Sequence, residues 1–213
     1  FYIEYENFLT EKTSASVAGR LHTGRSRNDL FATVFRLHNR SLFKDLMPLL
    51  FAVNAKTLTL ADKHKKRLNV VHTQLQPAMF GTFGHFFAGV SCALLGHIQQ
   101  IQNAFEMNEL NPLGSGAAVG TSIKISTSTT TRLLGFKDEV KNSIQGVAHY
   151  EYTLGLVGAL AAYAAVLNRM FSTIHIWTTA EFGYVNIGAA ASGKSSMLPQ
   201  KRNPFLLEGI KAK

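Results

Sequence analysis

The chain has a single cysteine, Cys92, among 213 residues. It can close no internal disulfide, which fits a reducing compartment. Cys92 lies in an apolar stretch and is expected to be a buried small hydrophobe. Metal-ligand spacing is also missing: the scattered histidines do not pair at helical intervals with other ligands, so no metal is expected. Gly114-Ser115-Gly116 lacks the preceding strand and the third glycine of a dinucleotide fingerprint, so no cofactor is expected either. There is no secretory leader pattern, because Glu4, Glu6 and Glu11 stand where a basic region and an apolar core would be; a cytoplasmic location follows as the expectation. The longest apolar run, Thr153 to Leu167, falls short of the roughly 20 residues a bilayer needs. It reads as a buried helix, and no membrane partner is expected. Internal repeats and low-complexity linkers are absent, and strand signals are sparse.

Acidic residues are scarce, with 13 Asp and Glu against 22 Lys and Arg and a formal net charge of +9. Such an excess raises nucleic acid as a partner, but its distribution argues otherwise. The densest basic run, Lys63-His64-Lys65-Lys66-Arg67, is short, lacks interleaved aromatics and suits a helix end, where cations complement the dipole. The positive charge is better placed to steer a polyanionic substrate.

What the chain does contain is apolar content of 46%, enough at this length for one good-sized core. Long stretches without breakers predict long helices from about 29 to 66, with Pro48 as a kink or break, from about 77 to 110, and from about 143 to 182. Within the last of these, Gly155 and Ala159, like Gly158 and Ala162, recur four residues apart and would let neighbouring helices approach closely. Thr121 to Thr129 suits a loop or a short helix. The composition supports a mainly α architecture.

One segment concentrates chemistry: Gly193-Lys194-Ser195-Ser196-Met197-Leu198-Pro199-Gln200-Lys201-Arg202-Asn203-Pro204. It joins a small-residue loop, the Ser195 and Ser196 hydroxyls, the Lys201 cation and the Asn203 amide just before a helix start, a set that suits carboxylate recognition. Asn203-Pro204 also has a plain structural reading as an N-cap and first helical position. A second segment, Gly19-Arg20-Leu21-His22-Thr23-Gly24-Arg25-Ser26-Arg27-Asn28-Asp29, places the guanidiniums of Arg25 and Arg27, the Ser26 hydroxyl and the Asn28 amide before a helix, able to grip a dicarboxylate. Its alternative is a helix cap at Asn28 or Asp29 with solvated arginines.

The first segment resembles the signature of the fumarase/aspartase superfamily, Gly-Ser-x-x-Met-x-x-Lys-x-Asn, with Lys194 in place of the Gly and Leu198 in place of the Met. The second is similar to the His-Thr-Gly-Arg-Ser-Arg-Asn-Asp run of the argininosuccinate lyase branch. Pro112 to Thr121, Leu133-Leu134-Gly135-Phe136 and Trp177 to Val185 resemble further family segments in the same order. Two departures stand out. Val71-His72-Thr73-Gln74-Leu75-Gln76 resembles Tyr-Thr-His-Leu-Gln, with Gln74 where the family has a His paired to a Glu matching Glu208. Gln cannot transfer a proton at neutral pH, and His72 would need a local backbone shift to replace it. His149-Tyr150-Glu151-Tyr152 lacks the Arg of the family's Asp-Arg-Asp-Phe.

The resemblance implies a long-helix bundle of the fumarase/aspartase type, with residues 1–28 ending an N-terminal domain and residues 29–213 forming a central helical domain cut short. It implies a homotetramer with active sites shared between subunits, and a reversible β-elimination that breaks a C–N bond of an N-succinyl amine or guanidine and releases fumarate. Ser195 would be the base, with Lys201, Asn203, Glu208 and Gln74 at the catalytic positions. Ser26, Arg27, Asn28, Thr73 and Ser196 would bind substrate. A catalytically weakened structural or regulatory homologue is the alternative, and Gln74 is the residue that favours it.

Overall fold

The computed structural model describes residues 2–212. The chain is mainly helical. Its elements are α1 (Tyr2–Lys12), α2 (Ala15–Ala18), α3 (Arg27–Lys63), β1 (Leu68–Thr73), β2 (Gln76–Thr82), α4 (Phe83–Glu106), β3 (Leu110–Asn111), α5 (Thr127–Leu133), β4 (Asp138–Glu139), α6 (Ser143–Ala148), α7 (Glu151–Trp177), β5 (Gly193–Lys194), β6 (Arg202–Asn203) and α8 (Phe205–Lys211). They form two compact units, one from the chain up to Pro48 together with Gln102–Leu156, the other from Leu49–Ile101 together with Val157 onward.

The first unit is organised by polar groups buried against α3. Asn108 is fully buried; it donates to the Arg36 carbonyl at 2.9 Å and accepts from the Asn39 amide at 3.1 Å. Asn111, also buried, donates to the Thr130 and Thr131 hydroxyls and accepts the Leu113 N–H. Each satisfied amide fixes a loop that apolar contact alone would leave free to slide. Phe43 stacks on Phe105 with ring centres 3.8 Å apart. A Cβ added at Gly155 would sit 4.0 Å from the Ala104 Cβ, an ordinary contact, and one added at Gly158 would meet nothing within 4 Å among the described residues, so neither glycine is required by close helix approach here.

In the second unit the core gathers Ala61, Phe87 and Met170, with Phe83, Phe86, Leu167 and Ile174 packed against them. α4 begins where Thr82 Oγ accepts the His85 N–H at 3.0 Å, satisfying one of the orphan donors of a helix start. Gly84 is needed there, because a Cβ would collide with the Ala61 carbonyl and the Lys65 backbone.

Several expectations from the sequence need correction. Pro48 neither ends nor divides α3, which runs through it for 37 residues. The helix expected from Pro77 starts only at Phe83, and the preceding residues form an antiparallel hairpin of β1 and β2. Pro77 is accommodated because the register shifts beside it, between Val71 and His72, and irregular pairing is where a strand tolerates proline. The expected helix from 143 to 182 breaks at His149–Tyr150, between α6, capped by Asn142, and α7, and α7 ends at Trp177. Cys92 is exposed, not buried. α7 is longer than the apolar run suggested: at 27 residues it is long and apolar enough, by length and composition, to cross a membrane, and 17% of its most apolar window is buried within this chain.

Candidate functional site

Ser26 starts α3. Its Oγ accepts the Asn28 N–H at 3.2 Å, while Asp29 Oδ1 accepts the Ser26 N–H at 2.9 Å. Side chain and backbone thus satisfy each other as in a capping box, and the cap is Ser26 rather than Asn28 or Asp29. Asp29 does more than cap. It is 0% exposed, and its Oδ2 accepts the N–H of both Gly114 and Gly116 at 3.0 Å. Asn28 adds a bond from Nδ2 to the Ala117 carbonyl at 3.0 Å. The arginine-rich corner and the glycine-rich turn, 85 or more residues apart in sequence, are therefore one structure. Gly114, Gly116 and Gly120 all have positive φ, and Gly120 lies so close to Gly116 that a Cβ there could not fit. Arg25 lines a cavity of about 360 Å³ with Thr23, Ser126, Thr127 and Thr130, a hydroxyl-rich wall beside a guanidinium.

In the same unit, a guanidinium from α3 covers the segment that lacks the expected arginine. The Arg36 Cζ lies 3.8 Å from the Tyr152 ring centre, a cation–π contact. Burial lowers the Arg36 pKa, opposed by its interactions with Tyr152 and Glu109, and burial raises that of the Tyr152 hydroxyl.

The second unit holds the other sequence-selected residues in two places. The signature segment forms a closed loop on the β5–β6 pair, in which Gly193 faces Asn203 and Lys194 faces Arg202. Ser195 N donates to the Lys201 carbonyl at 3.4 Å, and Lys201 N to the Leu198 carbonyl at 3.0 Å. Inside the loop, Ser195 Oγ accepts the N–H groups of Met197 at 3.3 Å and Leu198 at 3.1 Å. Asn203 belongs to β6, and Pro204 is the cap residue without a side-chain cap bond, so the N-cap reading of Asn203 does not hold. Lys201, Ser196 and Glu208 are exposed, and the Lys201 ammonium has no bond or ion pair among the described residues.

Thr73 and Gln74 lie at the hairpin tip. Thr73 pairs with Gln76, leaving Gln74 and Leu75 as a two-residue turn with φ of 52° and 62°. Both in the left-handed region is the I′-like geometry that matches hairpin twist, normally supplied by Asn-Gly. No hydrogen bond among the described residues joins this tip to the Ser195 loop. His72 lies within β1, opposite Pro77. Its Nδ1 lies 2.9 Å from the Val70 carbonyl, and its ring packs on Phe182, centres 5.0 Å apart.

From sequence, Asp29 is legible only as a possible cap. The Ser-x-x-Asp spacing signalled that half of its role; its grip on two distant glycine amides had no local signal. The left-handed turn at Gln74-Leu75 had none either, since neither residue type favours it.

The sequence profile of a family described as lyase matches residues 4–213. Argininosuccinate lyase 1 of Shouchella clausii is 35% identical over 212 residues, covering 100% of this chain and 43% of that protein. Argininosuccinate lyase of Methanocaldococcus jannaschii is 36% identical over 208 residues, 98% of this chain and 43% of its own length. The chain thus spans less than half the length of these relatives. Among solved structures, an EDDS lyase in complex with formate superposes with a TM-score of 0.93 at 33% identity, over 99% of this chain and 42% of that one. A fumarate lyase:delta crystallin from Brucella melitensis shares the fold, with a TM-score of 0.77 at 18% identity over 95% of this chain and 46% of its own.

Proposed function

We propose, on the premise that the chain belongs to the lyase family that matches it over residues 4–213, that this protein is an argininosuccinate-lyase-like enzyme. Its reaction is β-elimination from an N-succinyl amine or guanidine. A base removes a proton from the carbon beside one carboxylate, the freed electron pair becomes the C=C bond of fumarate, and the C–N bond breaks as nitrogen leaves with its electrons and gains a proton.

The observation that carries this reading is the bonding at Ser195. A hydroxyl is a poor base unless its oxyanion is stabilised. Here two N–H groups, of Met197 and Leu198, point at Oγ, and such preorganised donors favour the charged oxygen over the neutral one. Lys201 and Asn203, on the returning arm of the same loop, suit the role of stabilising charge that develops on the substrate carboxylate. Ser26, Arg27, Asn28, Thr73 and Ser196 supply hydroxyl, guanidinium and amide groups for the second carboxylate and the amine half.

The same reading gives a homotetramer whose subunits pool their long helices. It is supported by apolar side chains exposed along α3, among them Phe31, Val34, Leu42, Leu49 and Leu58, and on α7 by Leu154 at 70% and Val157 at 56%. Surface of this kind on helices marks association.

A second reading, a homologue with weakened catalysis, is favoured by Gln74, which stands at the tip of the hairpin without a titratable group. One experiment separates the two. The full chain is mixed with argininosuccinate and the ultraviolet absorbance of fumarate is followed. Steady fumarate release supports the enzyme; none from argininosuccinate or from other N-succinyl amines removes it.

A further inference from the structure

The second unit contains a cavity that none of the residues assigned to the lyase reaction lines. Its volume is about 480 Å³, within the range of small-molecule sites. Its aromatic wall is built of rings packed on one another: Phe83 meets Trp177 edge-on at 5.1 Å and Tyr184 at 6.0 Å, and Phe86 packs on Trp177 at 4.7 Å. The segment after α7 is folded back to complete that wall. The Trp177 carbonyl accepts the N–H groups of both Tyr184 and Val185 at 3.0 Å, and Gly183, at φ 58°, makes the turn.

His64 and Arg67, from the turn after α3, also line the cavity. Their backbones are pinned to the start of α4, since Phe83 N donates to the Arg67 carbonyl and Gly84 N to the His64 carbonyl, each at 3.0 Å. No carboxylate lines the cavity, and neither His64 nor Arg67 has an ion pair among the described residues. The basic run at the end of α3 therefore contributes two side chains to a space otherwise lined by aromatic and aliphatic groups and by Asn186.

We propose that this cavity binds a planar aromatic carboxylate, its ring against Phe83, Trp177 and Tyr184 and its carboxylate toward Arg67 and His64. Flat walls select a ring over a flexible chain, because offset and edge contacts need fixed planes. A guanidinium without a protein carboxylate selects the anion. This inference is independent of the lyase reading.

Trp177 is the one tryptophan of the 213 residues, so it reports occupancy directly. Anthranilate absorbs where tryptophan emits, and 2-aminobenzamide is its neutral isostere with similar optics. Titrating the full chain with anthranilate should give saturable sensitised emission that Trp177→Phe removes. The neutral amide should bind about ten-fold more weakly, the worth of one charge-assisted contact. Arg67→Gln should erase that preference while Arg67→Lys keeps most of it, and excess succinate should leave the signal unchanged. The proposal is overturned by no saturable signal, as when another part of the polypeptide fills the space. It is equally overturned by emission that survives Trp177→Phe, by equal binding of acid and amide, or by displacement with succinate, which would make the cavity part of the dicarboxylate site.

Discussion

Replacing Asp29 with asparagine isolates the contribution of one buried carboxylate. The side chain keeps its shape, so no cavity opens, but its three backbone contacts change. Oδ2 accepts from Gly114 and Gly116 at 3.0 Å each, and Oδ1 accepts from Ser26 at 2.9 Å. The amide can turn its oxygen to the two glycines, and then its NH2 group faces the Ser26 N–H, donor against donor. Two charge-assisted bonds become neutral and one is lost at a fully buried position. At roughly 0.5–1 kcal/mol for each weakened bond and about 1 kcal/mol for the lost one, the sum is about 2–3 kcal/mol. Amide exchange measured by mass spectrometry or NMR reads it locally: Ser26, Gly114 and Gly116 should exchange about 30- to 140-fold faster under conditions where exchange follows opening equilibria. Asp29→Ala should cost more, since all three donors lose their acceptor. Exchange unchanged within two- or three-fold at the glycines, as order-of-magnitude bounds on a contribution under about 0.7 kcal/mol, would refute the claim that this carboxylate holds the corner to the turn.

Ser195→Ala should lower turnover by orders of magnitude if the oxygen is the base. Losing its two N–H contacts should loosen the loop by only about 1–2 kcal/mol, so a fall in kcat of merely a few-fold would assign the proton transfer elsewhere. Gln74→His should raise fumarate production if a missing imidazole limits the rate; His is among the residues that tolerate the left-handed conformation, so a lower activity would not be a folding effect and would show that another arrangement serves this chain. Leu75→Gly should stabilise the hairpin by about 1 kcal/mol, because glycine adopts φ of 62° without the Cβ penalty. A lower denaturation midpoint would argue against that turn geometry.

The long helices were legible because their stretches carry apolar residues with few breakers, and in α3 even Pro48 removes only one ladder bond from a helix of 37 residues. The hairpin was not. Leu68 to Thr73 has β-branched residues, but its turn is Gln-Leu, which carries none of the Asn-Gly signal, and Pro77 suggested a helix start. The break at His149–Tyr150 lacks glycine and proline, and the Asn142 cap marks only the start of α6, so the break itself had no local signal. Cys92 was misplaced because an apolar neighbourhood in sequence says nothing of which helix face meets a neighbour. At the candidate site, the signature loop and the arginine-rich corner were readable as motifs. Their bonding was not: the Asp29 contacts span 85 and 87 residues, and the Trp177 cavity draws on four separate segments.

The oxygen that latches the signature loop is the same one that would receive the proton. Negative charge appearing there must shorten and strengthen the contacts from Met197 and Leu198, drawing the turn tighter, and neutralisation must slacken them. Protonation state and loop geometry at Ser195 are thus one variable instead of two, and any ligand that favours the taut form also favours the more acidic hydroxyl.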